Sequence, residues 1–358
     1  MNGYQRFMAA LRREEPDTLP IWELLMNAPS IEKLRPGATY AEVVEWLDLD
    51  GITAGETQKF EGVGEGMLRD EWGIVWKLGG VGVTYPFSGP IRSEDDLDAY
   101  EPPDPEAPWR LETLQGFVRQ FKGRKAVVFL GHDSFEFSHY LVGGMSKLFT
   151  LYVKSPRFVK RLADIVSNYK LRVMERAAEV GADVLLTGDD YANKNGPLMS
   201  PSQFEEFVVP GLTKAVQTSH RLGLPFIKHT DGNLWKIMDT IVHLGIDGLD
   251  PLEPVAGMDI GKVKNQYGHR ICVVGNVDCS HLLSFGTPDE VVEAVKETIA
   301  KGSPGGGHIL ASSNSIHPGV KPENYLAMIK AARKYGRYPI DSALVKDYSK
   351  KNYAAEYS

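Results

Sequence analysis

The chain has 358 residues, 42% of them hydrophobic and 24% charged, with a formal net charge of −7. This is the composition of an ordinary globular protein and excludes disordered and fibrous classes. The acid excess and the lack of a basic run exclude nucleic acid as a partner, since neutralising phosphates takes clustered Lys and Arg.

The opening stretch, MNGYQRFMAALRREEPD, interrupts its apolar residues with Arg and Glu, which is not the pattern of a secretory leader. No run of about 18 apolar residues occurs that would span a membrane. The expectation is a cytoplasmic protein whose two cysteines, Cys272 and Cys279, are buried reduced thiols.

Apolar runs of strand length come first at 19–24 and 51–54. The Pro-rich stretch 101–108 (EPPDPEAP) reads as a surface connection between an N-terminal excursion and the main body. From residue 125 a regular alternation sets in, with apolar runs at 126–130, 183–186, 225–228, 246–249, 271–274 and 308–311. Helical patterns at 156–180, 202–222, 233–244, 287–300 and 322–335 separate them, three opened by Ser-Pro or Thr-Pro pairs suited to a cap and first turn. Near-continuous apolar strands alternating with helices predict a parallel sheet covered by helices. Eight runs fit a closed (β/α)8 barrel forming one domain over 1–358, although a doubly wound open sheet gives a similar pattern.

Barrel chemistry sits at the C-terminal ends of strands, and here those ends are polar. In chain order they carry Glu23; His132, Asp133, Ser134 and Glu136; Asp189 and Asp190; His229, Thr230 and Asp231; Asp250 and Glu253; Asn276 and Asp278; then Ser312, Ser313, Asn314 and His317. Any one of these reads equally well as a helix cap, as Asp231 does before Asn233. Delivered together to one rim, they describe a site. His229 and Asp231 stand two apart on extended chain and so face the same way, which suits joint metal ligation or an oriented acid–base histidine. Trp22, Phe135, Phe137 and Tyr191 are candidates to frame an aromatic ring, with core packing as the alternative. His220, His243, His269 and His281 fall on helices or connections, and His308 opens the last strand at the opposite face. The stretch 302–307 (GSPGGG) precedes a strand rather than a helix, which excludes a phosphate loop.

Several stretches resemble the uroporphyrinogen decarboxylase superfamily: 6–16 (RFMAALRREEP) with Pro20-Ile21-Trp22, 70–76 (DEWGIVW), 228–233 (KHTDGN), 245–254 (GIDGLDPLEP), 260–275, 305–318, Pro322-Glu323-Asn324 and 335–339 (YGRYP). The resemblance covers nearly the whole chain and implies a (β/α)8 barrel with a deep mouth. It implies one of two chemistries, decarboxylation of a tetrapyrrole's acetate groups or methyl transfer to or from a corrinoid protein. The decarboxylase branch grips its polycarboxylate substrate with an Arg-rich segment after the first strand; here 21–29 (IWELLMNAP) has no Arg and carries Glu23. An acidic rim repels such a substrate.

The thiol-methylating branch binds zinc through His-x-Cys and a later Cys. Here His229 matches the His, Asp231 replaces the first Cys, and Asn314 stands near the place of the second. The resemblance therefore leaves either no metal or an oxygen-rich site of His229, Asp231 and Glu253.

What remains is a likeness to the first methyltransferase of bacterial O-demethylase systems. It implies methyl transfer from a methoxylated aromatic ether, or another small methyl donor, to a corrinoid on a separate protein. His229, Asp231, Glu253 and Asp189 are the expected catalytic groups. Glu23, Trp22, His132, Glu136, Asp190, Tyr191, Asn276, Asp278, Ser313, Asn314 and His317 are the expected substrate contacts. The alternatives are methyl exchange with tetrahydrofolate, the pterin held by Asp189, Asn276 and Asp278; decarboxylation of another substrate; and a barrel that binds the corrinoid protein without catalysis.

Overall fold

In the computed structural model, which describes residues 1–79 and 84–356, the apolar runs become strands wherever both faces are covered. Strand β1 (Gly51–Gly55) is followed by a separate antiparallel group, β2 (Phe60–Gly64), β3 (Met67–Asp70), β4 (Val75–Leu78) and β5 (Thr84–Ser88). The parallel series then resumes with β6 (Ala126–Gly131) and β7 (Val184–Thr187). After a small hairpin of β8 (Ala192–Asn193) and β9 (Gly196–Pro197) come β10 (Phe226–His229), β11 (Gly248–Asp250), β12 (Cys272–Val274) and β13 (His308–Ile309). The large sheet runs β1-β6-β7-β10-β11-β12-β13, every pair parallel.

Residues 20–22 close this sheet into the predicted eight-stranded barrel. On one side Leu310 N donates to Pro20 O (2.9 Å) and Trp22 N to Leu310 O (3.0 Å); on the other Asp50 N donates to Ile21 O (2.8 Å). The buried Asp50 carboxylate fixes this closure. It accepts from Ile21 N (2.7 Å) and Arg6 Nε (2.7 Å) and lies 3.2 Å from Arg333 Nη2.

The barrel interior is apolar, filled by Trp22, Val128, Leu186, Ile227, Val274 and their neighbours. The helix Gly3–Leu11, held by an Asn2–Gln5 capping box, packs across the end where the strands begin and sets Phe7 edge-on against Trp22 at 5.6 Å. A second, larger core lies between the sheet and the outer helices. Both cysteines are buried and free. No helix among the described residues is long and apolar enough to cross a membrane.

Three features depart from the sequence reading. The excursion before residue 101 is a four-stranded antiparallel sheet, which glycine-rich, weakly alternating sequence had concealed. Buried charges tie it to the barrel: Arg110 pairs with Glu71 and lies 3.6 Å from Glu56, and Lys170 Nζ sits 2.9 Å from Glu56 and 3.5 Å from the Phe137 ring centroid. The helix expected over 202–222 breaks into Pro201–Phe207 and Val209–Arg221, where Pro210 has no N–H to continue the ladder. The helix expected over 233–244 is confined to Met238–His243.

Replacing Asp50 with Ala leaves the Ile21 amide and two guanidinium groups without their buried acceptor. We expect it to cost about 3–5 kcal/mol, read as a lowered denaturation midpoint with an unchanged slope in urea.

Candidate active site

Parallel register places His229, at the end of β10, directly opposite Asp250, at the end of β11. His229 Nδ1 lies 2.6 Å from Asp250 Oδ2. This orients the ring, so that Nε2 looks into the mouth, 3.7 Å from Asp231 Oδ1 and 3.9 Å from Asp190 Oδ1. Burial works to lower the pKa of His229, but the hydrogen bond and charge of Asp250, joined by Asp231 and Asp190, push it up to about 9.

Asp231 moves for the complementary reason. Burial lifts its carboxyl, the His229 charge opposes, and the crowding of Asp190, Glu253 and Asp250 carries it up to about 7. One oxygen accepts from Asn314 Nδ2; the other, Oδ1, is buried without a hydrogen-bond partner. Asp190 Oδ1 accepts from the Asp231 amide (3.0 Å), and Glu253 Oε2 from the Gly232 amide (2.9 Å), so two carboxylates brace the turn that carries Asp231. Glu23, 1% exposed, receives the Ser312 hydroxyl (2.6 Å) and amide (3.2 Å), yet burial holds its carboxyl up at about 8 and therefore largely neutral at pH 7.

A second group occupies the ends of β6 and β7. Asp189 accepts from the amides of Asp133 (2.7 Å) and Glu136 (2.8 Å), with His132 Nδ1 at 3.6 Å. Burial resists its ionisation, but His132, Lys228 and the Glu136 amide hold it below the usual carboxylate range. Burial moves Glu136 the other way, up to about 7, with His132 opposing and Asp189 and Asp190 adding to the rise. Its Oε2 accepts from Tyr140 Oη (2.8 Å) and lies 3.8 Å from His132 Nδ1.

The structure thus gathers Glu23, His132, Glu136, Asp190, His229, Asp231, Glu253 and Asn314 around one mouth, and it corrects the other assignments. Asp189 is fully buried and both its oxygens hold backbone amides, so it positions Glu136 instead of meeting substrate. Trp22 (0% exposed) belongs to the interior core, and Tyr191, Phe135 and Phe137 are packed in buried aromatic contacts.

Asn276 turns its amide toward Met258 O and Thr298 Oγ1, each at 3.3 Å. Asp278 accepts the amides of Ser280, His281 and Leu282 and so braces the turn that leads into the helix Leu282–Phe285. Ser313 Oγ accepts from the Cys279 amide (3.1 Å) and donates toward Cys279 Sγ (3.6 Å). His317 is committed to Cys279 O (3.3 Å) and the Gly319 amide (3.1 Å). The metal assignment changes as well, because Asp190, His229 and Asp231 present ligand atoms all within 4.8 Å of one another and Glu253 is not in that group.

Sequence reasoning missed one structural partner of the site and the pairing of another. Lys228 lies wholly buried behind the mouth, 3.3 Å from Asp133 Oδ2 and 4.1 Å from the Tyr191 ring centroid. Tyr191 Oη also donates to Asp133. The signal was available: a lysine inside a strand read as buried on both faces requires a buried anion. Asp250 stood in the rim series, but its pairing with His229 required the strand register.

Two solution measurements follow. Glu23 binds a proton in the folded state at pH values where the unfolded chain has lost it. Its carboxyl therefore costs stability progressively from about pH 4.5 to about pH 8. Glu23→Gln should remove that slope and raise the melting temperature most at pH 8. Asp250→Asn takes away the main support of the His229 charge, so imidazole titration followed by NMR should show the pKa falling from about 9.

Comparisons with known proteins place this geometry in context. The family model described as Uroporphyrinogen decarboxylase (URO-D) matches residues 74–335. The uroporphyrinogen decarboxylase of Geobacter sulfurreducens is 26% identical over 351 residues, spanning 92% of this chain and 98% of that protein. That of Geobacter metallireducens is 24% identical over the same shares of both chains. Among solved structures, a methyltransferase from Methanosarcina mazei superposes with a TM-score of 0.75 at 20% identity, covering 94% of this chain and 99% of that one, which shows a shared fold. With that family model matched over residues 74–335, most of its length, the chain belongs to the uroporphyrinogen decarboxylase family.

Proposed function

We propose that the protein is a methyltransferase. It takes a methyl group from a small donor, a methoxylated aromatic ether, and passes it to a corrinoid held by a separate protein. The observation that carries this reading is the unpartnered Asp231 Oδ1, buried 3.7 Å from a histidine whose charge Asp250 sustains. Demethylating an ether breaks a carbon–oxygen bond, and the oxygen, which keeps the electron pair, is a poor leaving group until it gains a proton. Asp231, with its carboxyl near 7, can hold that proton and release it at neutral pH. His229 keeps Asp231 from rising further, and Asn314 pins the second oxygen so that Oδ1 faces the mouth. The corrinoid would supply the cobalt nucleophile that receives the methyl carbon.

A divalent cation also fits. Asp190, His229 and Asp231 are hard donors within reach of one ion, the Asp250 bond leaves His229 Nε2 as the ligand atom, and Oδ1 lacks another partner. Such an ion would supply a Lewis acid for the ether oxygen.

Two alternatives are weakened. Pterin binding loses Asn276 and Asp278, whose polar atoms are committed elsewhere. Decarboxylation of a polycarboxylate is favoured by the names of the curated relatives. Against it stands the lack, among the described residues, of an arginine or lysine paired with Glu136, Asp190 or Asp231 at a mouth where such a substrate requires cations.

The test is single-turnover methylation of a cobalt(I) corrinoid protein by an aryl methyl ether, with metal analysis of protein purified without added metal. Asp231→Asn should slow the transfer about 10²–10⁴-fold, and the wild-type rate should fall as pH rises through about 7. Zinc near one equivalent, absent in His229→Ala, would assign activation to the cation. Release of carbon dioxide with no methyl transfer would sink the reading.

A further inference from the structure

The aromatic residues expected to frame a ring are buried in the core, so the donor's ring must find its wall elsewhere. Two rings outside that set, Tyr140 and Trp76, lie beside the acids, backed by the buried Phe137. Tyr140, half-buried, donates to Glu136 Oε2 at 2.8 Å. Its ring packs edge-on against Trp76 of β4, centroid to centroid 5.2 Å, and against Phe137 at 5.7 Å. Phe137 in turn meets His132 at 5.2 Å.

Trp76 comes from the antiparallel sheet inserted between β1 and β6, and its orientation is fixed. The indole Nε1 donates to Asp70 Oδ2 at 2.7 Å, and across the ladder Trp76 pairs with Leu68 and Pro86. Strand alternation puts Leu78 on the same face as Trp76, and register adds Leu68. Leu78 is 50% exposed, so this apolar face is open to solvent where it leaves Tyr140. An indole anchored by its nitrogen, packed on a tyrosine that holds a mouth carboxyl, offers a flat apolar surface on the Glu136 side of the mouth.

We propose that this inner face of the inserted sheet, with Trp76 seated on Tyr140, is the ring-binding wall of the methyl-donor site, and that the site selects uncharged rings over rings bearing a carboxylate. The inference rests on the methyl-transfer reading for its ligand and adds the residues and charge preference that define it. The wall supplies apolar contact. Glu136, bonded to Tyr140, and Asp190 beyond it are the carboxyl groups beside the wall, and they disfavour a second carboxylate there. Among the described residues the ion-pair partners of Glu136, Asp190 and Asp231 are the imidazoles of His132 and His229, with no arginine or lysine.

The experiment is calorimetric binding to the full-length protein without a corrinoid partner, so it does not depend on turnover. The probes are 1,2-dimethoxybenzene, 3,4-dimethoxybenzoate and the aliphatic 1,2-dimethoxyethane. The neutral ring should bind at least about tenfold more tightly than the other two. Trp76→Leu should weaken it about tenfold and Trp76→Phe should retain most of the affinity. Leu78→Asp, at an exposed position that tolerates change, should weaken it as well, which keeps the test decisive if the tryptophan variants fold poorly. Glu136→Gln should narrow the gap between the neutral and carboxylate rings.

Equal binding of the neutral ring by wild type, Trp76→Leu and Leu78→Asp would overturn the wall. Preference for the benzoate would overturn the charge selection. Binding of the aliphatic ether as tightly as the neutral ring would overturn the inference while leaving methyl transfer to a corrinoid, read in the single-turnover assay, standing. Release of carbon dioxide in place of methyl transfer would remove the reading on which it rests.

Discussion

Carboxyl groups brought together away from water cannot all ionise, and the mouth of this barrel is organised around that constraint. Asp189 takes the anionic role because two backbone amides, His132 and Lys228 support it. His229 takes the cationic role because Asp250 is fixed opposite it by strand register. Glu23, Glu136 and Asp231 are left near neutrality or above it, able to hold protons at ordinary pH. One crowded rim therefore contains an anchored anion, an anchored cation and exchangeable acids, without any of them being chemically unusual in isolation.

The barrel makes this affordable. Its strands are short and apolar, and the polar residues begin where the strands end, so desolvation falls on side chains whose backbone is already paired. Behind the mouth, Lys228 and Asp133 neutralise each other in a place that substrate does not reach, and Asp133 also receives the Ser134 and Phe135 amides at the start of the next helix. That buried pair adds little net stability in exchange for its desolvation, but it gives the loops after β6 and β7 a single arrangement.

Much of the fold was legible because its physics is local. Apolar runs of strand length, helix-opening Ser-Pro and Thr-Pro pairs and polar strand ends all lie within a few residues of one another. His229 and Asp231 could be paired from spacing alone. The partnership of His229 with Asp250, and the union of both with Asp190, depend on which strands are neighbours, and spacing along the chain does not carry that. Asn276, Asp278, Ser313 and His317 reached the candidate set because a strand-end polar residue and a helix-capping residue look the same in sequence. Their partners show the difference: each is spent on the packing of neighbouring loops and helices, bonds that spacing along the chain does not reveal. The inserted sheet was missed for a different reason: glycines at 62, 64 and 66 dilute the alternation that marks a strand.

The helix Gly3–Leu11 has a kinetic consequence. With Phe7 set against Trp22, it stoppers the barrel at the end opposite the acids, and the interior between is filled. With that end packed, the acid-lined mouth is the entrance to the site. Under the methyl transfer proposed above, a small donor and a bulky acceptor protein would share that entrance, which would impose an order: the donor seated first, the acceptor covering it, and the spent donor leaving only after the acceptor has moved away. Saturation with the acceptor would then slow the cycle by trapping what lies beneath it.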